Sequence, residues 1–188
     1  MKRSVHMHED LIDGLRTNNR KSQLQIYNLY YKAMFNTAFR IIKNSAEAED
    51  IMQEAFLTGF QKIHDYKGDA SFGSWLKRIV INRSLDELKK KKESISIEET
   101  GLDIPAEDSS ENYLEVLSYK TDQIRKGIEQ LAEDDRLVMS LFLIEGYDHE
   151  EISQVLDISY NASRTRYSRA RHRLREWLKQ QKIDELVN

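Results

Sequence analysis

Apolar residues recur every three or four positions along most of this chain, the spacing of helices that bury one face. No stretch keeps the two-residue alternation of a half-buried strand. The pattern predicts a short helix near residues 9–17 and a long one over 21–43. The long helix carries Leu24, Tyr27, Tyr31, Met34, Phe35, Ala38, Phe39 and Ile42 on its expected buried stripe. A further helix over 45–64 would bury Ala48, Ile51, Met52, Ala55, Phe56, Phe60 and Ile63, with Ser45 as N-cap and acids in the first turn. Lys67, Gly68 and Asp69 read as a turn. Helical spacing returns from Ser71 with Phe72, Trp75, Leu76, Ile79, Leu85 and Leu88, and runs out in the lysines of 89–92.

Past residue 92 the pattern weakens. The stretch to about Tyr119 holds Pro105, Gly101 and a run of acids, and its brief alternation over 94–97 is too short for a sheet. Periodicity resumes with Ile124, Ile128 and Leu131, then Leu137, Val138, Leu141 and Phe142. Gly146 punctuates the chain. A short helix over 148–156, a turn at 157–159 and a long helix over 160–181 complete it. The expected fold class is all-α: two small helical domains, 1–92 and 121–188, joined by a flexible acidic linker, 93–120.

Composition narrows the function. The 188 residues are 39% hydrophobic and 32% charged, with no cysteine, which excludes disulfides, thiol nucleophiles and cysteine-ligated zinc. His6, His8, His64, His149 and His172 are scattered, and solvent-exposed imidazoles are expected rather than a metal site. No apolar run approaches the ~20 residues a membrane span needs. The first twenty residues lack the apolar core of a secretory signal, so a cytoplasmic location is expected, without membrane insertion. Neither a cofactor nor a small-molecule substrate is implied by any motif.

Net charge is −3, yet the charge is segregated. Residues 93–115 carry Glu93, Glu98, Glu99, Asp103, Glu107, Asp108, Glu111 and Glu115 without a single cation. Residues 77–92 are rich in Lys and Arg, and residues 164–182 set eight cations against one acid, Glu176. Polyanion binding depends on such local patches more than on the total.

The second basic block follows a helix-turn-helix pattern. Ile152, Val155 and Leu156 form the inner face of a first helix, Ile158 is a plug in the turn, and Ser159 caps the second helix. Ala162, Ala170, Leu174, Trp177 and Leu178 are expected to face inward. That leaves Arg164, Thr165, Arg166, Ser168, Arg169 and Arg171 toward DNA. Arginine donates two hydrogen bonds to guanine, and further cations such as Arg173 and Arg175 hold phosphates. A solvated basic face on an ordinary bundle is the alternative.

At these residues a resemblance becomes clear. Residues 131–136, Glu145 to Ile152 and Arg164 to Arg171 resemble region 4 of bacterial RNA polymerase sigma factors. The resemblance implies that this domain reads the −35 promoter element and docks on the β-subunit flap, with Arg164, Thr165, Ser168 and Arg169 at major-groove positions. The family usually has Pro where Ala132 stands, and commonly Gly-Thr-Val where Asn161-Ala162-Ser163 stand.

The N-terminal half is similar to the same family's region 2. Residues 46–57 resemble the helix that grips the clamp coiled coil of β′, which implies core-polymerase contacts by Glu49, Asp50, Gln53 and Glu54 on one helical face. Residues 72–86 resemble the segments that melt and read the −10 element. By that resemblance Tyr66, Lys67, Asp69 and Ser71 belong to a loop that captures a flipped base, and Lys77, Arg78, Asn82 and Arg83 line the adjoining groove. Phe72 and Trp75 match the apolar stripe and are expected in the core.

With two blocks in the family's order and little chain left for further domains, the best match is the extracytoplasmic-function (ECF) group. It implies a non-enzymatic subunit that binds core polymerase and promoter DNA, with an anti-sigma factor as a further partner. The acidic linker mimics nucleic acid inside the polymerase or is a plain tether. A dimeric helix-turn-helix regulator is the runner-up, and an enzyme a distant third.

Overall fold

A computed structural model describes the backbone of residues 3–94 and 113–187, and the side chains of residues 9–91 and 121–181. Every regular element among the described residues is helical. The chain divides into two compact units, Met1–Leu102 and Asp103–Asn188. Most of the expected acidic linker lies outside the described residues.

In the first unit α1 (Arg3–Arg16), α2 (Arg20–Ile42), α3 (Ser45–Gln61) and α4 (Phe72–Ser94) form a bundle. Asn19 starts α2 by accepting hydrogen bonds from the Lys21 and Ser22 amides. A left-handed Lys43 ends it, and Asn44 rather than Ser45 caps α3, accepting from the Glu47 amide. Ser45 is the first helical residue instead. α3 also stops earlier than expected, at Gln61, and a 3₁₀ turn covers Ile63–Asp65.

The stripe on α2 differs from the expected one. Ile26, Met34, Thr37, Ala38, Ile41 and Ile42 are buried, whereas Leu24 is 60% exposed. The cause is position: α2 touches α1, α3 and α4 on different sides, so no single stripe describes it. Ala48, Ile51, Met52, Ala55 and Phe56 from α3 meet Leu76, Val80, Ile81 and Leu85 from α4 in the core. Ser84 is wholly buried there and satisfied by donating to the Val80 carbonyl at 2.9 Å.

The second unit contains α5 (Tyr113–Glu129), α6 (Glu133–Leu143), α7 (His149–Leu156) and α8 (Tyr160–Val187). α5 begins inside the stretch read as linker. Ile128, Leu131, Met139, Ala170 and Leu174 make one apolar cluster, with Tyr167 and Leu178 packed against it. α5 approaches α8 closely because Gly127 has no side chain: a Cβ there would stand 2.4 Å from Leu174 Cδ1. Ala132 precedes α6 at φ −54°, a value that a proline ring also imposes, so the family's usual residue is not needed to start this helix.

Asp148 begins α7 with a capping box, accepting from the Glu150 and Glu151 amides while the Glu151 carboxylate accepts from the Asp148 amide. Asp157 turns the chain in the left-handed conformation, Ile158 is half-buried, and the Ser159 hydroxyl accepts from the Ala162 amide at 3.1 Å. α7 and α8 are thus a helix-turn-helix, with Ile152 fully buried beneath it.

Candidate nucleic-acid and polymerase interfaces

On α8, residues 161, 164, 165, 168 and 169 recur at helical i, i+3, i+4, i+7 and i+8 spacing and so share one face. Asn161, Arg164, Thr165, Ser168 and Arg169 line one open hollow of roughly 410 Å³. All five are exposed. The Arg164 guanidinium lies 5.8 Å from the centre of the Tyr160 ring, whose stacking limits where that long side chain wanders.

The other arginines of the block go elsewhere. Arg166 is half-buried and pairs with Asp134 at 3.3 Å, away from the hollow. Arg173 donates to Asp135 at 2.7 Å, which supplies this nearly buried carboxylate with a partner. Arg171 is exposed beside the hollow's run but does not line it. These pairs join the acidic first turn of α6 to α8.

The inner face of α8 also departs from expectation. Ser163 is wholly buried, while Ala162 is half-buried. Ser163 Oγ and His149 Nδ1 share a hydrogen bond of 3.0 Å. The same imidazole stacks on Phe142 at 4.8 Å and meets Tyr167 edge-on. His149 is therefore a packed residue locking α7 to α8, not the solvent-exposed imidazole expected. A polar residue on an inward position signals this only when its partner is known.

In the first unit, the loop between the 3₁₀ turn and α4 is built around Tyr66. Its hydroxyl donates to the Ala70 carbonyl at 2.8 Å, and its ring packs edge-on to Phe72 and against Trp75. Gly68 takes φ 84°, a conformation an L side chain resists, and faces open space. Ser71 accepts from the Ser74 amide at 3.2 Å and so begins α4. Lys67 and Asp69 are exposed at the loop's tip. Arg16 of α1, which sequence reasoning missed, donates to the Tyr66 carbonyl at 3.4 Å. Burial, with Tyr66 beside it, pushes the Tyr30 phenol above its ordinary value. Phe72 is buried and Trp75 half-buried.

Along α4, Arg78 and Asn82 are exposed one turn apart and Lys77 is half-buried. Arg83 is held differently: its guanidinium donates to Thr58 at 2.9 Å and pairs with Glu54. Two residues assigned to different partners thus meet in one ion pair. On α3 the carboxylates Glu49, Asp50 and Glu54 and the Gln53 amide are all exposed, with Gln53 donating to Glu49 at 3.2 Å. Leu57, 61% exposed, extends the same face at i+4 from Gln53. It was legible as an apolar residue off the buried stripe.

No helix among the described residues is long and apolar enough to cross a membrane, and no three potential metal ligands cluster among them.

Sequence comparison accounts for both units. Residues 26–94 match Sigma-70 region 2, and residues 121–174 match Sigma-70, region 4. The chain is 30% identical to the ECF RNA polymerase sigma-E factor of Escherichia coli over 138 residues, covering 68% of this chain and 71% of that one. It is 27% identical to the ECF RNA polymerase sigma factor SigW of Bacillus subtilis, over 89% of this chain and 95% of that one. SigE of Mycolicibacterium smegmatis is 30% identical, but the chain spans only 57% of its length. Among solved structures, the sigma factor RpoE of Bartonella quintana, in complex with the anti-sigma factor NepR, shares the fold with TM-score 0.55. That match is 22% identical and covers 82% of this chain and 95% of that one.

The chain belongs to the ECF group of the sigma-70 family of RNA polymerase sigma factors. Its function is promoter-specific initiation of transcription with RNA polymerase.

Proposed function

We propose a division of labour among the surfaces described above. Residues 1–92 form the unit that binds core polymerase and the −10 element, residues 93–120 the acidic connection, and residues 121–188 the unit that reads the −35 element. The observation that carries this reading is the exposed face at the head of α8, which gathers two guanidiniums, a hydroxyl pair and an amide. Such a face suits the major groove, where the N-terminal residues of a recognition helix meet base edges. Arg164 and Arg169 donate to guanine, Thr165 and Ser168 bond bases or phosphates, and Arg171 holds the backbone nearby.

In the first unit the exposed α3 face, Glu49, Asp50, Gln53 and Glu54 with Leu57, docks on the basic clamp coiled coil of β′. The Tyr66–Ser71 loop receives a base unstacked from the −10 element. Lys67 and Asp69 at its tip, with Lys77, Arg78, Asn82 and Arg83 on α4, follow the displaced strand. The second unit also contacts the β flap. An anti-sigma factor is a further proposed partner, supported by the complex formed by the Bartonella relative's fold. The chain acts without chemistry of its own, in the cytoplasm where polymerase and DNA meet.

The test is transcription in vitro with core polymerase and a promoter enriched from genomic templates. Defined initiation only when this chain is added supports the reading, and no stimulation from any template rejects it. Arg164→Ala or Arg169→Ala should cost ~1–3 kcal/mol at one −35 base pair. A panel of promoter variants, each read for initiation rate, should show discrimination lost at that position. An unchanged panel removes these residues from base reading.

A further inference from the structure

We infer that Asn161 is a specificity-determining residue of the recognition helix, reading an adenine in the −35 element. The inference rests on the proposed −35 role of α8 and adds the residue that meets one particular base. Asn161 is the second residue of the helix and shares the exposed face of Arg164, Thr165, Ser168 and Arg169. It stands at the end of that face which enters the groove first, since base edges are met by the N-terminal residues of a recognition helix.

Its amide is also free to act. The usual task of an asparagine near a helix start is capping, but Ser159 performs it here by accepting from the Ala162 amide. Among the described residues the Asn161 side chain forms no hydrogen bond, whereas neighbouring polar groups are committed: Ser163 to His149 and Arg166 to Asp134. A carboxamide presents one acceptor and one donor side by side. Adenine presents the complement in the major groove, N6–H as donor and N7 as acceptor, and no other base offers that pair in the same order.

With Arg164 held over the Tyr160 ring, one guanidinium and one amide project from the same turn of helix. The hollow therefore suits neighbouring guanine and adenine edges. A glycine, common at this position in the family, supplies no group to read either.

The experiment uses the whole chain with core polymerase and a promoter in which each −35 position is varied singly. The wild type should prefer adenine at one position by about 5- to 150-fold, the range of a bidentate base contact. Asn161→Ala and Asn161→Gly should flatten that preference and leave the preferences at other positions in place. Asn161→Asp should move it toward cytosine, whose N4 amine donates to a carboxylate. Arg164→Ala serves as the second arm. If Arg164→Ala alters the profile and no Asn161 variant does, this inference fails while the −35 reading of α8 stands. If neither residue alters it, both fail. A uniform loss across all promoters by Asn161→Ala also overturns the inference, because it marks a phosphate or structural role; melting curves of the variants separate those two.

Discussion

Replacing Ile152 with alanine should remove −35-dependent transcription by unfolding the second unit, not by touching DNA. Ile152 is fully buried beneath the turn that joins α7 to α8. Truncating an isoleucine in such a site costs about 2–5 kcal/mol, from lost burial and from the cavity left behind. At roughly 0.05–0.15 kcal/mol per residue a unit of this size has about 4–13 kcal/mol of stability, so the loss is a large fraction of it. Thermal melting followed by circular dichroism should show an early transition for the variant, while the first unit melts unchanged. Ile152→Val, which keeps most of the volume, should cost only ~0.5–1.5 kcal/mol and retain activity. A variant that melts like the wild type would mean that α7 is not anchored through this side chain.

Asp50→Lys is expected to weaken core-polymerase binding by about a hundredfold or more. Placing a cation on a surface proposed to meet a basic helix brings like charges together, which costs several kcal/mol at an interface. The fold should be untouched, since exposed substitutions of this kind stay within about 0.5 kcal/mol. Asp50 is the cleanest site on the α3 face. Gln53 is tied to Glu49, and Glu54 is the partner of Arg83, so a change at Glu54 alters a proposed DNA contact as well. Competition for core polymerase against the wild-type chain measures the loss. Full affinity in the variant would reject clamp docking through this face.

How much of this was legible in advance depends on the range of the interaction. Local signals carried well: the periodicity of α3 and α4, the Ser159 cap and the turn at Asp157 all rest on residues within a few positions of one another. Ser45 and Asn44 are adjacent and both cap well, so the choice between them needed the backbone. Leu24 was misplaced because α2 is covered on several sides, which blurs a one-face pattern. Contacts between distant residues were not legible at all. Nothing near Arg166 or Arg173 announces Asp134 and Asp135, and a stripe of apolar residues passes over Ser163, whose burial depends on His149. The candidate site was therefore readable as a basic helix, but which of its cations stand free was not.

Those two internal pairs bear on how the protein responds to ionic strength. A cation that neutralises a DNA phosphate displaces a condensed counterion, and each such contact adds about −0.9 to the slope of log K against log salt. Arg166 and Arg173 come to the duplex already neutralised by carboxylates of α6. They should displace no counterion, and binding should be less salt-sensitive than the number of arginines on α8 suggests. Asp134→Ala, which frees Arg166, should steepen the slope for a −35 duplex toward one further phosphate; an unaltered slope would show that the freed side chain does not reach the backbone. If the slope steepens, the acidic turn of α6 limits how many arginines of α8 reach phosphate, and with it the salt dependence of binding.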